Sequence, residues 1–546
     1  MNQLKWTAPA GPFPVGVVDV DLTDETRAAM YATPPQTQRT LTVTCWYPAR
    51  TTDGHGRRTY LKPEEVKAGV HTAFAMFGVP AEVQEAIAAL ATSSFLDAPI
   101  ADGTRPLVMF CHGGATWREQ STWLMEHLAS HGYVVASVAH PHESASYIRV
   151  DGQSVAANPA IQADFARLGE AAQLMARSLA APTVQERIAA GLAATEFLRG
   201  IWIGRLAQPW ADDLVYVADR LFAGDVPVLA GRLSRDVAYV GMSYGAHVAS
   251  LAALKDSRAR AFVNLDGGIF TAEPIGREIG MPVLCLTEDF QLAMRAHGIE
   301  LPPLTPDSLP WFAMAYTRRD GCPPIAPVHC IAMRNTAHGD FTDMTALYRD
   351  SPPGFYRAED AGKTLALQNR VICDFLDTHV RGEKRGFPQA VVDEHPDSLV
   401  LHKPRPFVTE KPLFMSRRHV DIMNALLADS AAANAAAAAL PHDVLVAFRL
   451  EDDDSGATHW WQLNFSRSDG IRFGLGEPSR AADLLFVGKY REMVEATLAS
   501  RSGKPSAVPG HREIVGDVSV LQTIAEAFAE AKKVATVDVE LPRFPT

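Results

Sequence analysis

The sequence predicts an α/β fold, a doubly wound and mostly parallel sheet with helical insertions, followed by a smaller α+β domain. Through residues 1–380, short continuous apolar runs alternate with helical patterns, as is typical of parallel strands buried on both faces. After residue 419 the pattern changes to strands joined by turns and then to helices, which favours an α+β module. Because 546 residues exceed what one hydrophobic core organises, two domains are expected.

Apolar runs define the strands of the first domain. Each run is bounded by Gly, Pro or Asp, and in chain order they read RTLTVTCWYP, RPLVMFCHGG, YVVASVAHP, DVAYVGMS, AFVNLDGG, PVLCLTED and VHCIAMRNTAH. In sheets of this kind, ligand-binding loops lie at the carboxyl ends of the strands. Functional residues are therefore expected directly after these runs.

The domain boundaries follow from changes in the pattern. Residues 1–385 are expected to form the α/β domain, with helical insertions near 61–96 and 152–225, where apolar residues recur at three- and four-residue spacing. The longer insertion is equally compatible with extra helical packing and with a lid over an apolar pocket. Residues 386–418 are irregular and Pro-rich, which indicates a linker, and 419–546 form the second domain.

Strands and helices of the second domain also follow from the pattern. The alanine-rich run ALLADSAAANAAAAAL predicts a first helix because alanine favours helix intrinsically. The runs VLVAFRLEDD, HWWQLNFSRSDGIRFGLG and ADLLFVGKY predict antiparallel strands. Two helices, YREMVEATLASR and VSVLQTIAEAFAEAKK, are expected to follow them.

Composition and charge exclude several function classes. The chain is 47% hydrophobic and 21% charged, and its apolar runs are shorter than the roughly 18 residues that a membrane span needs. The net charge is -12, which argues against nucleic acid and anionic membrane surfaces as partners. The first twenty residues contain no continuous apolar run of the signal-peptide type, so the expected compartment is the cytoplasm.

Cysteines and paired histidines give no metal motif. The six cysteines are not spaced as zinc ligands, and several lie in apolar runs, where buried free thiols are expected. His140 and His142 form an H-x-H pair at a strand end, but no matching cluster of further ligands accompanies them. The sequence therefore predicts neither a metal nor a cofactor.

The motif GMSYG places Ser243 between Gly241 and Gly245. It directly follows the apolar run VAYV and opens the helical run AHVASLAALKD. This is the strand, sharp turn and helix of a nucleophile elbow, in which the glycines allow the tight bend. Ser243 is therefore expected to be a catalytic nucleophile.

A serine nucleophile requires a histidine that accepts its proton and a carboxylate that orients this histidine, expected in the chain order Ser, Asp/Glu, His. His338, in IAMRNTAHGDFTDM, comes just after the last predicted strand, where such a fold places its base. His297, His329 and His379 fit less well, because they lie in a polar loop, inside a strand and inside a helical pattern. His112, which comes before the nucleophile in the loop CHGGATWRE, is expected to be a buried, hydrogen-bonded residue that supports this loop instead of a second base.

Three carboxylates compete for the role of the acid. Asp266 ends the strand AFVNL, whereas Glu288 and Asp289 end the next strand, PVLCLT. Either strand end can reach the histidine, so the pattern alone leaves the choice open.

An oxyanion hole needs two backbone N–H groups near the nucleophile. One is expected from Tyr244, the residue after Ser243. The other is expected from the loop CHGGATWRE, in which Gly113, Gly114 and Ala115 let the backbone approach a substrate.

Seven segments of the first domain carry a family resemblance, in chain order GPFPVGVVDVDLTD, RTLTVTCWYPA, PLVMFCHGG, LASHGYVVASVAHPHESAS, GMSYGAH, NLDGGIF and TAHGDFTDM. Together they resemble the platelet-activating-factor acetylhydrolase-like branch of the α/β-hydrolases. The resemblance covers most of the first domain. It implies metal-independent hydrolysis of carboxylic esters, often lipids with a short or oxidised acyl chain. It assigns the acid to Asp266 with Glu288 as runner-up, and the remaining roles to Ser243, His338 and the N–H groups of Gly114 and Tyr244.

The second domain resembles a sterol-carrier-protein-2-type module over WWQLNFSRSDGIRFGLGEPSRAADLLFVGKYREMVEATLASRSGKPSAVPGHREIVGDVSVLQTI. The resemblance implies an apolar tunnel and no catalytic residue. Lipid capture, homodimer formation and covering of the hydrolase cleft all remain compatible with it.

Three functions follow from these expectations. The first is a serine carboxylic-ester hydrolase, of esterase or lipase type, that acts on a lipid-like or otherwise apolar small-molecule ester. The second is a lipid-binding or lipid-transfer protein whose hydrolase domain is inactive. The third is an acyltransferase on the same fold.

Overall fold

The computed structural model describes residues 6–67, 74, 77–164, 167–181, 183–296, 298–310, 312–317, 325–348, 355–403, 411–428, 430–453, 455–501, 511–537 and 539–542. The described residues divide into two compact units, one within 6–403 and the other within 411–542. None of the helices in these described ranges is long and apolar enough to cross a membrane.

The first unit is built on an eleven-stranded sheet with the order β13-β12-β11-β10-β9-β5-β6-β2-β1-β4-β3. The central strands, which lie side by side in the order β12, β11, β10, β9, β5 and β6, are parallel. At the two sides, β1, β2, β3 and β13 add antiparallel pairings. Their bounds are β1 Val15–Ala28, β2 Gln38–Pro48, β3 Arg57–Thr59, β4 Ala91–Leu96, β5 Arg105–Cys111, β6 Val134–Ala139, β9 Leu233–Met242, β10 Ala259–Leu265, β11 Val283–Thr287, β12 Val328–Met333 and β13 Leu399–Leu401. A separate two-stranded sheet consists of β7 Tyr147–Ile148 and β8 Ser154–Val155.

Helices connect these strands. Their bounds are Pro63–Glu65, Ala81–Ala88, Thr122–Ser130, Pro159–Asp164, Leu168–Ala180, Val184–Leu198, Trp202–Arg205, Ala207–Ala223, Tyr244–Lys255, Phe290–Ala296, Met344–Leu347, Ala361–His379 and Gln389–Glu394, with 3-10 turns at Pro227–Leu229 and His338–Phe341.

Helices cover the sheet on both faces, which explains the continuous apolar runs. In β5, Leu107 and Met109 pack into one hydrophobic cluster, whereas Val108 and Phe110 pack into the cluster on the opposite face. Because successive side chains of a strand alternate between faces, a strand buried on both sides must be apolar throughout. The predicted α/β fold class is confirmed.

Two stretches differ from the expectation. The range 61–96, predicted as a helical insertion, ends in β4, which pairs with β1 and β3. The range 386–418, predicted as a linker, contains a helix and then β13, which pairs with β12 at the edge of the sheet. β13 has only three residues, too few for a periodic pattern to mark it as a strand.

The second unit is a five-stranded sheet with the order β16-β15-β14-β17-β18. Its strands are β14 Val444–Glu451, β15 Thr458–Ser466, β16 Gly470–Leu475, β17 Leu484–Lys489 and β18 Glu513–Gly516, and its helices are Arg417–Ala428, Ala431–Ala438, Tyr490–Arg501, Val520–Thr523 and Ala525–Val534. The alanine-rich run forms parts of two helices instead of one. The Ser430 hydroxyl accepts the Ala433 N–H at 3.2 Å, so this residue caps a new helix.

Candidate active site

Ser243 lies on a sharp turn between β9 and the helix Tyr244–Lys255. Its φ of 56° and ψ of -124° lie in a region that non-glycine residues rarely adopt. A Cβ atom added at Gly241 would overlap the backbone of Gly245, and one added at Gly245 would overlap the carbonyl of Cys111. The two glycines therefore permit the close approach that holds the serine at the carboxyl end of the sheet.

His338 lies between the Ser243 hydroxyl and the Asp266 carboxylate. Its Nε2 is 3.0 Å from Ser243 Oγ, and its Nδ1 is 2.6 Å from Asp266 Oδ2. The imidazole is 36% exposed, whereas the Asp266 side chain is 2% exposed. The arrangement brings a hydroxyl, an imidazole and a buried carboxylate into hydrogen-bond reach in the order that nucleophilic catalysis requires.

Asp266 is held in place by the neighbouring strand. It follows β10 with a φ of 47°, and its N–H donates to the Leu286 carbonyl at 2.8 Å. Its Oδ1 accepts the Glu288 N–H at 2.8 Å, which leaves Oδ2 for His338. Two hydrogen bonds to β11 and the residue beyond it thus fix the direction of this carboxylate.

The other two candidate carboxylates make different contacts. Glu288 accepts the main-chain N–H of His338, and burial together with the nearby Asp266 charge raises the pKa of its carboxyl well above the ordinary value. Asp289 Oδ2 accepts the Asn335 N–H at 3.1 Å. Of the three carboxylates that the sequence left open, Asp266 is the one that the structure brings to the imidazole.

The loop after β5 lies against Ser243. A Cβ atom added at Gly113 would be 3.5 Å from the Ser243 Cβ, and one at Gly114 would be 3.5 Å from the Tyr244 Cβ. Tyr244 is the first residue of its helix, so its N–H has no helical partner. Within the part of the chain that the structure describes, the N–H groups of Gly114 and Tyr244 have no hydrogen-bond acceptor.

Buried polar side chains fix this glycine loop. The Gly113 N–H donates to Gln120 Oε1 at 2.9 Å, and the Thr116 hydroxyl donates to the Gly113 carbonyl at 2.8 Å. Burial, with a smaller effect from His140, lowers the pKa of His112 to about 3, so its ring is neutral at pH 7. His112 therefore lies inside the protein as an uncharged neighbour of the loop.

An ionic network that the sequence analysis missed lies behind the loop. The Arg39 guanidinium donates to Asp213 at 2.7 and 2.6 Å and to Glu143 at 2.9 and 2.8 Å, and all three side chains are almost fully buried. The His140 ring is 2.7 Å from Asp213 through Nδ1 and stacks on Trp210 at 3.8 Å. These residues are far apart in sequence, so no local pattern could have revealed the network.

The H-x-H pair of His140 and His142 lies directly after β6. The Nδ1 of His140 is occupied by Asp213, and that of His142 is 2.9 Å from the Ala156 carbonyl. Each ring is therefore oriented by a different partner.

Apolar side chains surround the Ser243 region, and some come from the 152–225 insertion. A Cβ atom on Gly114 would be 2.8 Å from Trp202 Cη2, and one on Gly268 would be 2.8 Å from Met175 Cε. The Phe355 ring lies 6.1 Å from the His338 ring. The insertion thus contributes walls next to the candidate active site.

The fold and the site define the class of protein, which is an α/β-hydrolase with a serine on a nucleophile elbow. The family model described as platelet-activating factor acetylhydrolase, isoform II, matches residues 1–382. The chain belongs to this family, which confirms the resemblance of the first domain and makes the protein a carboxylic-ester hydrolase in its general class.

A comparison with solved structures supports the same fold. A ferulic acid esterase from Streptomyces cinnamoneus is 22% identical, with a TM-score of 0.52, over 72% of this chain and 98% of the esterase chain. At this identity the likeness concerns the fold alone. No curated protein matches the chain.

Proposed function

We propose that this protein is a serine carboxylic-ester hydrolase in which Ser243 is the nucleophile, His338 the base and Asp266 the orienting acid. The observation that carries the proposal is the pair of contacts made by the His338 ring, 3.0 Å to Ser243 Oγ and 2.6 Å to Asp266 Oδ2. A ring with its proton on Nδ1 donates to the carboxylate and accepts the serine hydroxyl proton.

The reaction proceeds through an acyl-enzyme. Ser243 Oγ attacks the ester carbonyl as its proton passes to His338 Nε2, and the imidazolium is stabilised by Asp266. The N–H groups of Gly114 and Tyr244 receive the oxyanion, each contributing about 3 kcal/mol to the transition state. His338 then protonates the leaving alcohol, and a water activated by the same ring releases the acid.

The proposed substrate is a lipid-like or otherwise apolar ester. Trp202 and Met175 from the insertion and Phe355 beside His338 supply apolar surface around the site. A series of p-nitrophenyl esters of increasing chain length tests this point. Rising kcat/KM with chain length places the apolar part of the substrate in the acyl chain, and a preference for acetate esters of long over short alcohols places it in the alcohol. A preference for charged esters contradicts the proposal.

The assignment of the nucleophile is tested by labelling the full chain with a fluorophosphonate. We expect one adduct, on Ser243, and its loss in Ser243→Ala. Ser257→Ala is a matched control because Ser257 is an exposed serine just after the same helix. An unlabelled Ser243 in the folded wild-type chain would contradict the assignment.

Adding an alcohol acceptor separates hydrolysis from acyl transfer, since a transferase forms the new ester in preference to the acid.

A second binding function is favoured by a cavity within the C-terminal unit. Its volume is about 750 Å³, and its walls are mainly apolar and aromatic, including Phe414, Met423, Phe448, Trp461 and Phe473. We propose that this unit is a sterol-carrier-protein-2-like module that binds an apolar ligand such as a fatty acyl chain.

Quenching of tryptophan fluorescence by a brominated fatty acid tests the C-terminal binding site, because Trp461 lines the cavity. Trp461→Phe should remove the saturable part of the quenching, while Trp6→Phe, in the other unit, should retain it. Saturable quenching that survives Trp461→Phe would place the ligand elsewhere.

Sedimentation at several concentrations separates this role from dimer formation, since a dimer dissociates on dilution whether or not ligand is present.

A further inference from the structure

Two histidines lie one turn apart at the end of the helix Thr122–Ser130. His127 and His131 have the i,i+4 spacing that places side chains on the same helix face, and their ring centroids are 4.3 Å apart. This helix packs against Ala361–His379, which contributes Cys373. The nitrogen ligand atoms of His127 and His131 and the Cys373 sulfur all lie within 4.8 Å of one another.

One of these rings makes hydrogen bonds through a single nitrogen. The His131 Nδ1 is 2.8 Å from the His127 carbonyl and 3.3 Å from Ser130 Oγ. With Nδ1 donating to the carbonyl, Nε2 remains as the ligand atom, and such a backbone contact is the usual way in which a metal-binding histidine is held.

The surroundings favour a soft divalent ion. Asp374 and Asp377, the nearby carboxylates on the Cys373 helix, are paired with arginines: Asp374 with Arg370 at 2.6 Å and Asp377 with Arg381 at 3.1 Å. Imidazole and thiolate donors select zinc over magnesium or calcium, which prefer oxygen.

The three residues lie at the same cavity, with His127 and His131 half-buried and Cys373 buried. They line a cavity of about 650 Å³, in which a water molecule can supply a fourth ligand. A tetrahedral zinc with two nitrogens and one sulfur places these atoms about 3.3 to 3.6 Å apart. Their present separations lie within 4.8 Å, so the side chains need to move closer together on binding.

We propose that His127, His131 and Cys373 bind one divalent ion of the zinc type. On binding, the Cys373 thiol, which donates to Asp377 at 3.7 Å, loses its proton to solvent and forms the metal–sulfur bond. The two imidazoles donate lone pairs, and no oxidant or reductant is consumed. This site departs from the prediction that the chain binds no metal, and it does not depend on the proposed hydrolase mechanism.

The ion would clamp two helices that follow segments of the candidate active site in the chain, and one of them, Ala361–His379, packs against the turn His338–Phe341. The helix Thr122–Ser130 follows the glycine loop after β5, and Ala361–His379 follows the segment that contains His338. Because metal binding favours the folded state, the clamp is expected to raise thermal stability.

Cobalt titration of the chelator-treated full chain, without a polyhistidine tag, tests the proposal. We expect one equivalent of Co²⁺ with thiolate-to-metal charge-transfer absorption, displacement by one equivalent of Zn²⁺ and a rise in melting temperature. His127→Ala and His131→Ala should each weaken binding at least about 100-fold. Cys373→Ser should remove the charge-transfer absorption, whereas Cys330→Ser and His55→Ala should leave all readouts unchanged.

Two results would overturn the proposal. One is a wild-type cobalt spectrum without a thiolate contribution, and the other is equal affinity in the wild-type chain and in both histidine variants. If Cys373→Ser fails to fold, X-ray absorption of the zinc-loaded wild-type chain decides the point, since sulfur must be present among the nearest ligand atoms.

Discussion

The Glu288 main-chain N–H donates to Asp266 Oδ1 at 2.8 Å, so the residue that competes for the role of the acid also orients the carboxylate that contacts His338. The Glu288 carboxyl itself is buried, and its pKa is raised by that burial and by the Asp266 charge.

The first prediction concerns this pair. Asp266→Ala should lower kcat/KM for a p-nitrophenyl ester at least about 100-fold, because the imidazolium loses its partner. Glu288→Gln should lower it less than about fivefold, since the Gln side-chain oxygen can still accept the His338 N–H and the main-chain donor to Asp266 is retained.

Asp289→Asn is the matched control at the same strand end and should also have little effect. The reverse ranking, with Glu288→Gln the most damaging, would move the acid to Glu288. Circular dichroism of each variant separates a loss of catalysis from a loss of folding.

The fold was largely predictable because parallel strands buried on both faces leave continuous apolar runs. Ser243 and His338 were accessible to sequence reasoning because a motif and a position after a strand mark them. The strand pattern alone left the acid open, since Asp266 and Glu288 end adjacent strands; the family resemblance assigned it to Asp266, which is the carboxylate that contacts the His338 ring. Arg39 and Asp213 are 174 residues apart, so their buried contact leaves no local signal.

The second prediction concerns crowding beside the proposed oxyanion hole. Gly114→Ala should lower kcat by about 10- to 100-fold, because its Cβ would lie 2.8 Å from Trp202 Cη2 and push the loop away from the oxyanion. Trp202→Phe in the same chain removes the clashing ring and should restore part of the loss. Steady-state kinetics of both single variants and the double variant measure this coupling. Purely additive effects would show that the two residues do not interact.

The third prediction concerns stability against pH. Glu126 accepts Ser94 Oγ–H at 2.5 Å and Trp6 Nε1–H at 2.7 Å, and burial raises its pKa to about 7 from an ordinary 4.5. Because the folded-state pKa is the higher one, the stability that Glu126 contributes is complete below about pH 4.5. It is lost as the pH rises through about 7.

Urea unfolding at pH 5 and pH 8 measures this effect, with an upper limit of about 3 kcal/mol. Glu126→Gln should show a smaller fall in unfolding free energy between the two pH values than the wild type, because a neutral amide does not titrate. Glu196→Gln, at an exposed position, should retain the full wild-type fall. Equal falls in the wild type and in Glu126→Gln would show that Glu126 is ionised throughout this range.

The fourth prediction concerns the ionic network behind the glycine loop. Burial opposes the ionisation of Asp213, but the adjacent Arg39 guanidinium holds the pKa of this carboxyl below its ordinary value. Arg39→Met removes that cation and leaves two buried carboxylates without it, so unfolding free energy should fall by about 3–5 kcal/mol. Asp213→Asn should cost less, because Glu143 still pairs with Arg39 at 2.8 Å.

Arg199→Met is the control for this comparison, since Arg199 and its partner Glu196 are 73% and 68% exposed. Such a surface pair should contribute at most about 1 kcal/mol. If Arg39→Met costs no more than Arg199→Met in urea unfolding, the buried carboxylates take up protons readily in the folded state. The network would then maintain its hydrogen bonds without a full charge, and the stability of Arg39→Met should increase as the pH is lowered.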